Sequence, residues 1–253
     1  MEMISKDKLS YLAGKYGVSE IYIEKDFYLT ATLYLIRGIK GLYFKGGTAL
    51  YKIFLNHLRL SEDLDFSVKG DLRRIEKEIK TKLLLNSIFK EIKYDKRTKH
   101  FIRLIVSYTS LFGGDDRIIL DLNKKAKVYL GPEKKQLKHF YKNVIPNFEI
   151  NVLNIEELIA EKISAITQRY APRDYYDVYN IINKKLPINM SLVKKKCEDA
   201  GRRFEVNRIF RRGQKIYNKW ESDLLPLTRT KPRFRKVMRV LSHFFEYKGE
   251  ENY

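Results

Sequence analysis

The chain has 253 residues, 44% of them hydrophobic and 32% charged, a size and balance that suit one large or two small globular domains and exclude a disordered polymer. Its formal charge of +20 favours a polyanionic partner, RNA or DNA, or an anionic membrane face over a surface of balanced ion pairs. The single cysteine, Cys197, excludes an intramolecular disulfide, and no stretch approaches the roughly 20 apolar residues of a membrane-spanning helix. The opening M-E-M-I-S-K-D-K lacks the apolar centre of a signal peptide, so a cytoplasmic protein without membrane association is expected. His57, His100, His139 and His243 are scattered without ligand spacing, and a structural zinc site is not expected.

In chain order, Ser5 and Ser19 each stand where a helix cap belongs, and the second opens S-E-I-Y-I-E-K-D-F-Y-L-T-A-T-L-Y-L-I, whose buried candidates include Ile23, Phe27, Leu33 and Leu35. Leu42 to Lys45 reads as the first strand, Thr48 to Leu55 as a helix, and Leu64 to Val68 as a neighbouring antiparallel or mixed strand. A helix rich in lysine and glutamate follows from about Leu72 to Phe89. Phe101 to Tyr108 and Arg117 to Asn123 read as strands around the turn signal Gly113-Gly114-Asp115. After loops at Gly131-Pro132 and Pro146 the chain turns helical: Ile155 to Arg169, Arg173 to Ile182, a helix capped by Ser191 and ended by Gly201, and a last helix from Pro232 to about Tyr247. This predicts an α/β domain over 1–150 and a helical bundle over 151–253.

The stretch from Leu42 to Ser67 carries the chemistry. Asp63 and Asp65, two apart in a strand, share one face with Cα atoms about 6.5 to 7 Å apart, while Leu64 and Phe66 pack the other. Such a pair repels itself unless a cation neutralises it, and magnesium suits one or two carboxylates plus substrate phosphates. Gly46 and Gly47 let backbone approach a phosphate, the amides through Thr48 point at it, and Lys45 and Arg59 add positive charge. Either half alone is more often a solvated strand end or a plain turn. Their closeness, with Arg59, Ser61 and Glu62 leading into the aspartates, favours a functional site.

The blocks K-G-G-T-A-L and R-L-S-E-D-L-D-F-S resemble the signature of the AbiEii/AbiGii nucleotidyltransferase toxin family, a branch of the polymerase-β-like superfamily that includes the mycobacterial MenT toxins. I-E-K-D-F-Y-L-T from Ile23 and E-K-I-S-A-I-T-Q-R-Y-A-P-R-D-Y-Y-D-V-Y from Glu161 fit as well, whereas the last 70 or so residues match no motif. The resemblance implies an α+β fold, a mixed nucleotidyltransferase sheet with flanking helices followed by a C-terminal helical bundle. It also implies a third metal carboxylate from a later strand, matched to Asp121, which otherwise is a solvent-facing strand residue. It implies that Lys162 contacts the nucleotide triphosphate and that Asp174 or Asp177 is a required aspartate, with Asp174 favoured; the plainer alternative is a solvated lysine and a helix-pairing aspartate.

The implied activity is Mg2+-dependent transfer of a nucleotide from a nucleoside triphosphate to the 3′ end of tRNA or another RNA, restrained by a cognate antitoxin. Asp63, Asp65, Lys162 and Asp174 would be catalytic, and Gly46, Gly47, Thr48, Arg59, Ser61 and Lys162 would hold the nucleotide. Arg202, Arg203, Arg208, Arg211 and Arg212, interleaved with Phe204, Phe210, Tyr217 and Trp220, suit phosphates and unpaired bases, unless the aromatics are bundle core. Two other readings remain: an enzyme of the same fold acting on a protein or small molecule, and a non-catalytic RNA- or nucleotide-binding protein.

Overall fold

A computed structural model describes residues 3–249, which divide into two compact units at the Leu153–Asn154 peptide. The first is built on a seven-stranded mixed sheet of strands β1 (Leu42–Lys45), β2 (Asp63–Val68), β3 (Glu91–Arg97), β4 (Phe101–Thr109), β5 (Asp115–Asn123), β6 (Glu133–Gln136) and β7 (Glu149–Val152), in the order β3-β4-β5-β2-β1-β7-β6. Helices α1 (Lys6–Tyr16), α2 (Glu20–Ile36) and α4 (Leu72–Leu84) accompany it, with the short α3 (Gly46–Ala49) between β1 and β2.

The period of two in the strands separates the faces. Phe44, Leu64, Phe66, Ile102, Leu104, Leu120 and Leu122 are buried on one, where Tyr28 of α2 stacks on Tyr108 of β4 at 3.6 Å between ring centroids. The other face carries half-buried Tyr43, Lys45, Asp63, Asp65, Arg103 and Asp121. β2 runs antiparallel to β1 and parallel to β5, which sets Lys45 beside Asp65 and Asp65 beside Asp121.

Most expected elements are present with shifted ends. Ser5 caps α1 through the Lys8 amide at 3.3 Å; Ser19 holds the N-cap position of α2 without a side-chain bond. The helix expected from Thr48 instead begins at Gly46 and passes at once into a π-helix, Leu50–Phe54, and α4 stops at Leu84 rather than Phe89. Strands β3, β6 and β7 were not expected. The sequences of β3, E-I-K-Y-D-K-R, and β6, E-K-K-Q, form the sheet edges, where charged residues deter pairing with other chains and erase the apolar alternation that marks a strand.

The second unit is helical: α5 (Ile155–Ile166), α6 (Pro172–Asn183), α7 (Met190–Asp199), the short α8 (Val206–Phe210), α9 (Gly213–Tyr217) and α10 (Trp220–Asp223), and α11 (Phe234–Phe244). Asn189, not Ser191, caps α7, accepting from the Leu192 amide at 3.0 Å. α5 packs against α6 and α7, and α11 against α6. Among the described residues no helix is long and apolar enough to cross a membrane.

Candidate active site

The polar sheet face presents a row of alternating charge. Arg103 lies opposite Asp121, Asp121 beside Asp65, and Asp65 opposite Lys45, on strands β4, β5, β2 and β1. Adjacent strands lie about 4.8 Å apart, so neighbours in this row are within reach of one another. Asp63 precedes Asp65 by two residues on the same face.

The turn after β1 is shaped around this row. Gly46 has φ +77°, and a Cβ there would lie 2.1 Å from Oδ2 of Asp65. Glycine is thus required twice, by the left-handed backbone and by the carboxylate pressed against it. Gly47 is buried in α3, and the Thr48 hydroxyl donates to the Asp63 carbonyl at 2.5 Å, fastening the helix start to the entry of β2. Arg59 is 3% exposed: its guanidinium donates to the Leu60 carbonyl at 2.7 Å and covers the Tyr51 ring at 4.6 Å. It therefore shapes the chain entering β2. Ser61 is half-buried on the same approach.

Asp121 is clasped by Arg103, which donates from Nε and Nη2 to its two oxygens at 2.7 and 2.8 Å. This bidentate bond, with Asp95 and Asp63 also near, holds the guanidinium firmly protonated. Among the described residues no three histidine, cysteine or acidic side chains converge into a metal cage. The donor set would fit magnesium in another way: Asp63 and Asp65 could supply one or two carboxylates, the number this ion takes from protein when phosphates and water complete its shell. The bond to Arg103 uses one lone pair on each Asp121 oxygen and leaves one on each, and Asp95, with an oxygen 3.7 Å from Nη1, offers Arg103 a second partner.

In the helical unit, Lys162, Asp174 and Asp177 meet. The Lys162 ammonium lies 2.8 Å from an oxygen of each aspartate, and Arg169 pairs with Asp174 at 2.6 Å. Burial alone would raise the Asp174 carboxyl, but the charges of Lys162 and Arg169 prevail and hold it well below the usual carboxylate range. The side chains of both aspartates are almost wholly inaccessible, and that of Lys162 is 10% exposed. A solvated lysine is thereby excluded.

Arg202, Arg203, Arg211 and Arg212 are exposed, the last over the Tyr170 ring at 5.0 Å, while Arg208 pairs with Glu205 at 3.0 Å. Of the interleaved aromatics, Phe210 and Trp220 are core and Phe204 is half-buried; Tyr217 alone of that group is exposed.

Sequence reading missed two groups. Arg103 could have been found from the alternation of β4, which places it on the face of the aspartates. Lys52 could not: it lies in the π-helix, 1% exposed, with Nζ 2.6 Å from Asp26 and 2.9 Å from the Thr30 hydroxyl, and desolvation lowers its pKa. The E-K-D block proves to be a clasp on α2. Glu24 accepts from the Ser110 hydroxyl and the Leu111 amide at 2.6 and 2.7 Å, Lys25 pairs with Asp116 at 3.2 Å, and Asp26 holds Lys52 and the Tyr141 hydroxyl.

The sequence profile described as "Nucleotidyl transferase AbiEii toxin, Type IV TA system" matches residues 29–240. Among solved structures, the nucleotidyltransferase toxin MenT4 from Mycobacterium tuberculosis superposes with a TM-score of 0.71 at 22% identity, over 98% of this chain and 91% of that one. JHP933 from Helicobacter pylori gives 0.62 at 19%, over 90% and 92%. These likenesses show the fold. No curated protein matches the sequence significantly.

Proposed function

Since the chain belongs to the AbiEii family of nucleotidyltransferase toxins of type IV toxin–antitoxin systems, with the family's mixed sheet and flanking helices, we propose that it moves a nucleoside monophosphate from a triphosphate to the 3′ end of tRNA in a magnesium-dependent reaction. The observation that carries this reading is the placement of Asp63 and Asp65 on the polar sheet face, with Gly46 shaped to the second carboxylate.

In this reading the acceptor hydroxyl attacks the α-phosphorus, its proton leaves, and the bond to pyrophosphate breaks. Asp63 and Asp65 would hold magnesium, which supplies Lewis-acid offset of the charge on the α-phosphate and leaving group. Lys45, Gly47 and Thr48 would face the triphosphate, with Arg59 and Ser61 setting the chain that feeds β2. Asp121, beside Asp65 on β5, would be the third carboxylate while still paired with Arg103. Lys162 is assigned to the triphosphate and Asp174 to aiming its ammonium; Arg169 would keep Asp174 neutralised when Lys162 engages phosphate. The net charge of +20 and the exposed arginines of the helical unit support an RNA acceptor. An acidic antitoxin surface would suit the same charge, and a toxin acting on tRNA would work in the cytoplasm.

The test is incubation with α-labelled triphosphates and separate tRNA, protein and small-molecule pools, with and without a chelator. Label on tRNA, lost with chelator and removed by 3′ exonuclease, is expected. Label confined to protein or a small molecule would overturn the acceptor assignment.

A further inference from the structure

The polar face of the sheet continues past the aspartates into a cavity that the mechanism above does not use. Ser67 follows Asp63 and Asp65 at the same two-residue interval on β2, so its Cα lies about 7 Å beyond that of Asp65 on the same face. Its hydroxyl oxygen is buried and has no hydrogen-bond partner among the described residues. Tyr43 stands opposite on β1, Asn123 beside it on β5.

Ser67 lies in the wall of a cavity of about 530 Å3, together with Tyr43, Lys69, Lys124, Val128 and Tyr129. The chain covering it, from Lys124 to Leu130, reads K-K-A-K-V-Y-L and begins with the Asn123 carboxamide accepting from the Lys125 and Ala126 amides at 2.9 and 3.1 Å. Val128 and Tyr129 are 37% and 41% exposed, and Lys124, Lys125 and Lys127 are exposed beside them.

A buried hydroxyl without a partner is costly, and here it lies against a cavity of ligand size. The chemistry around it combines one hydroxyl at depth, aromatic rings from two elements, and ammonium groups at the rim. Aromatic rings stack on unpaired bases, and lysines spaced along a loop follow a polymer's phosphates more naturally than one compact triphosphate. An in-line displacement also brings the attacking hydroxyl from the side opposite pyrophosphate. The Gly46–Thr48 turn assigned to the triphosphate follows the end of β1, whereas the cavity lies two residues back along that strand, at Tyr43.

We propose that this cavity is the acceptor subsite: it takes an unpaired nucleotide at the 3′ end of the RNA acceptor, about one nucleotide from the Asp63–Asp65 pair. Tyr129 stacks on the base, Ser67 bonds a base or ribose heteroatom, and Lys69 and Lys124 hold the flanking phosphate. The inference rests on the RNA-modifying reading of the site and adds the place where the acceptor sits.

Two measurements on the full chain test it. The first is binding of a fluorescently labelled single-stranded RNA of twelve nucleotides, without triphosphate or metal. Tyr129→Ala should weaken it about tenfold, as expected for one lost stacking contact. Lys69→Ala with Lys124→Ala should flatten the slope of log affinity against log salt by about 0.7, the amount for the one phosphate they hold. The second is steady-state transfer. Ser67→Val, which removes an unpartnered hydroxyl and so should melt no lower than the native chain, should raise KM for RNA about fivefold, the worth of one ordinary hydrogen bond, and leave KM for triphosphate unchanged. RNA binding indifferent to all three changes would overturn the inference, as would variants that shift KM for triphosphate instead. RNA that binds and responds to the variants but is never labelled would overturn the transfer reading and leave the subsite standing.

Discussion

The molecule holds two pairs of aspartates at short spacing, and they are built in opposite ways. Asp63 and Asp65 stand two apart on a strand, half-buried on the polar sheet face, with cationic neighbours arranged to either side on other strands. Asp174 and Asp177 stand three apart on a helix, inaccessible, with Lys162 between them and Arg169 closing on the first. Both are carboxylate pairs that need positive charge. The difference is accessibility: the helical pair is closed off with Lys162 and Arg169 against it, whereas the sheet pair is half-buried, where the proposed magnesium could reach it. Spacing alone does not distinguish a proposed metal-holding pair from a sealed ion cluster; accessibility does.

The contrast breaks most sharply in activity. Asp65→Ala should lower transfer at saturating magnesium by at least about a thousandfold, the several kcal/mol that a metal contributes to phosphoryl transfer, while the melting temperature stays near that of the native chain. Native turnover in this variant, measured with labelled triphosphate, would remove the sheet pair from the reaction.

Asp177→Asn should do the reverse. Removing one member of a buried ion cluster strands the remaining charges, at about 3 kcal/mol, or about 6 °C in melting temperature for a chain of this size. Magnesium dependence should be unchanged. Thermal melting and a magnesium titration of activity on the same preparation separate the two effects.

Gly46→Ala sharpens the sheet side of the comparison. Its left-handed backbone disfavours alanine by about 1 kcal/mol, and the added Cβ would push the Asp65 carboxylate out of place. The expected outcome is a modest drop in melting temperature with a much larger loss of transfer than stability alone explains.

Acid should destabilise the fold through a buried imidazole and a buried carboxylate. Burial, with the Lys52 charge adding, lowers the His57 imidazole to about 4. Its ordinary value is about 6.5, so between these limits the unfolded chain binds more protons, stability rises with pH, and it is lost as pH falls. Asp174, depressed in the fold, adds its own loss below the ordinary carboxylate range. In urea unfolding the His57 contribution approaches about 1.4 kcal/mol per pH unit, the value for one proton, and His57→Gln should remove it.

The sheet centre was legible because its strands obey a period of two: Leu64 and Phe66 against Asp63 and Asp65, Leu120 and Leu122 against Asp121. The edges were not, since β3 and β6 are made of the charges that keep edges from pairing and only their neighbours make them strands. The glycine pair was legible as a turn, but that Gly46 fits against Asp65 depends on register between β1 and β2. The bond between Arg103 and Asp121 is likewise a cross-strand fact, hidden until the partner of β5 is known. In the helical unit, the closure of Lys162 on two aspartates depends on how α5 packs against α6, and no local pattern reports that. The π-helix that buries Lys52 carries no sequence signal of its own.

The most direct test is calorimetric titration of Mn2+, in place of magnesium, into the full chain with a non-hydrolysable triphosphate present. The account predicts binding that disappears in Asp63→Asn with Asp65→Asn while triphosphate-independent melting is preserved. Metal binding at native affinity in that double variant would contradict the assignment of the sheet pair as the metal-holding carboxylates.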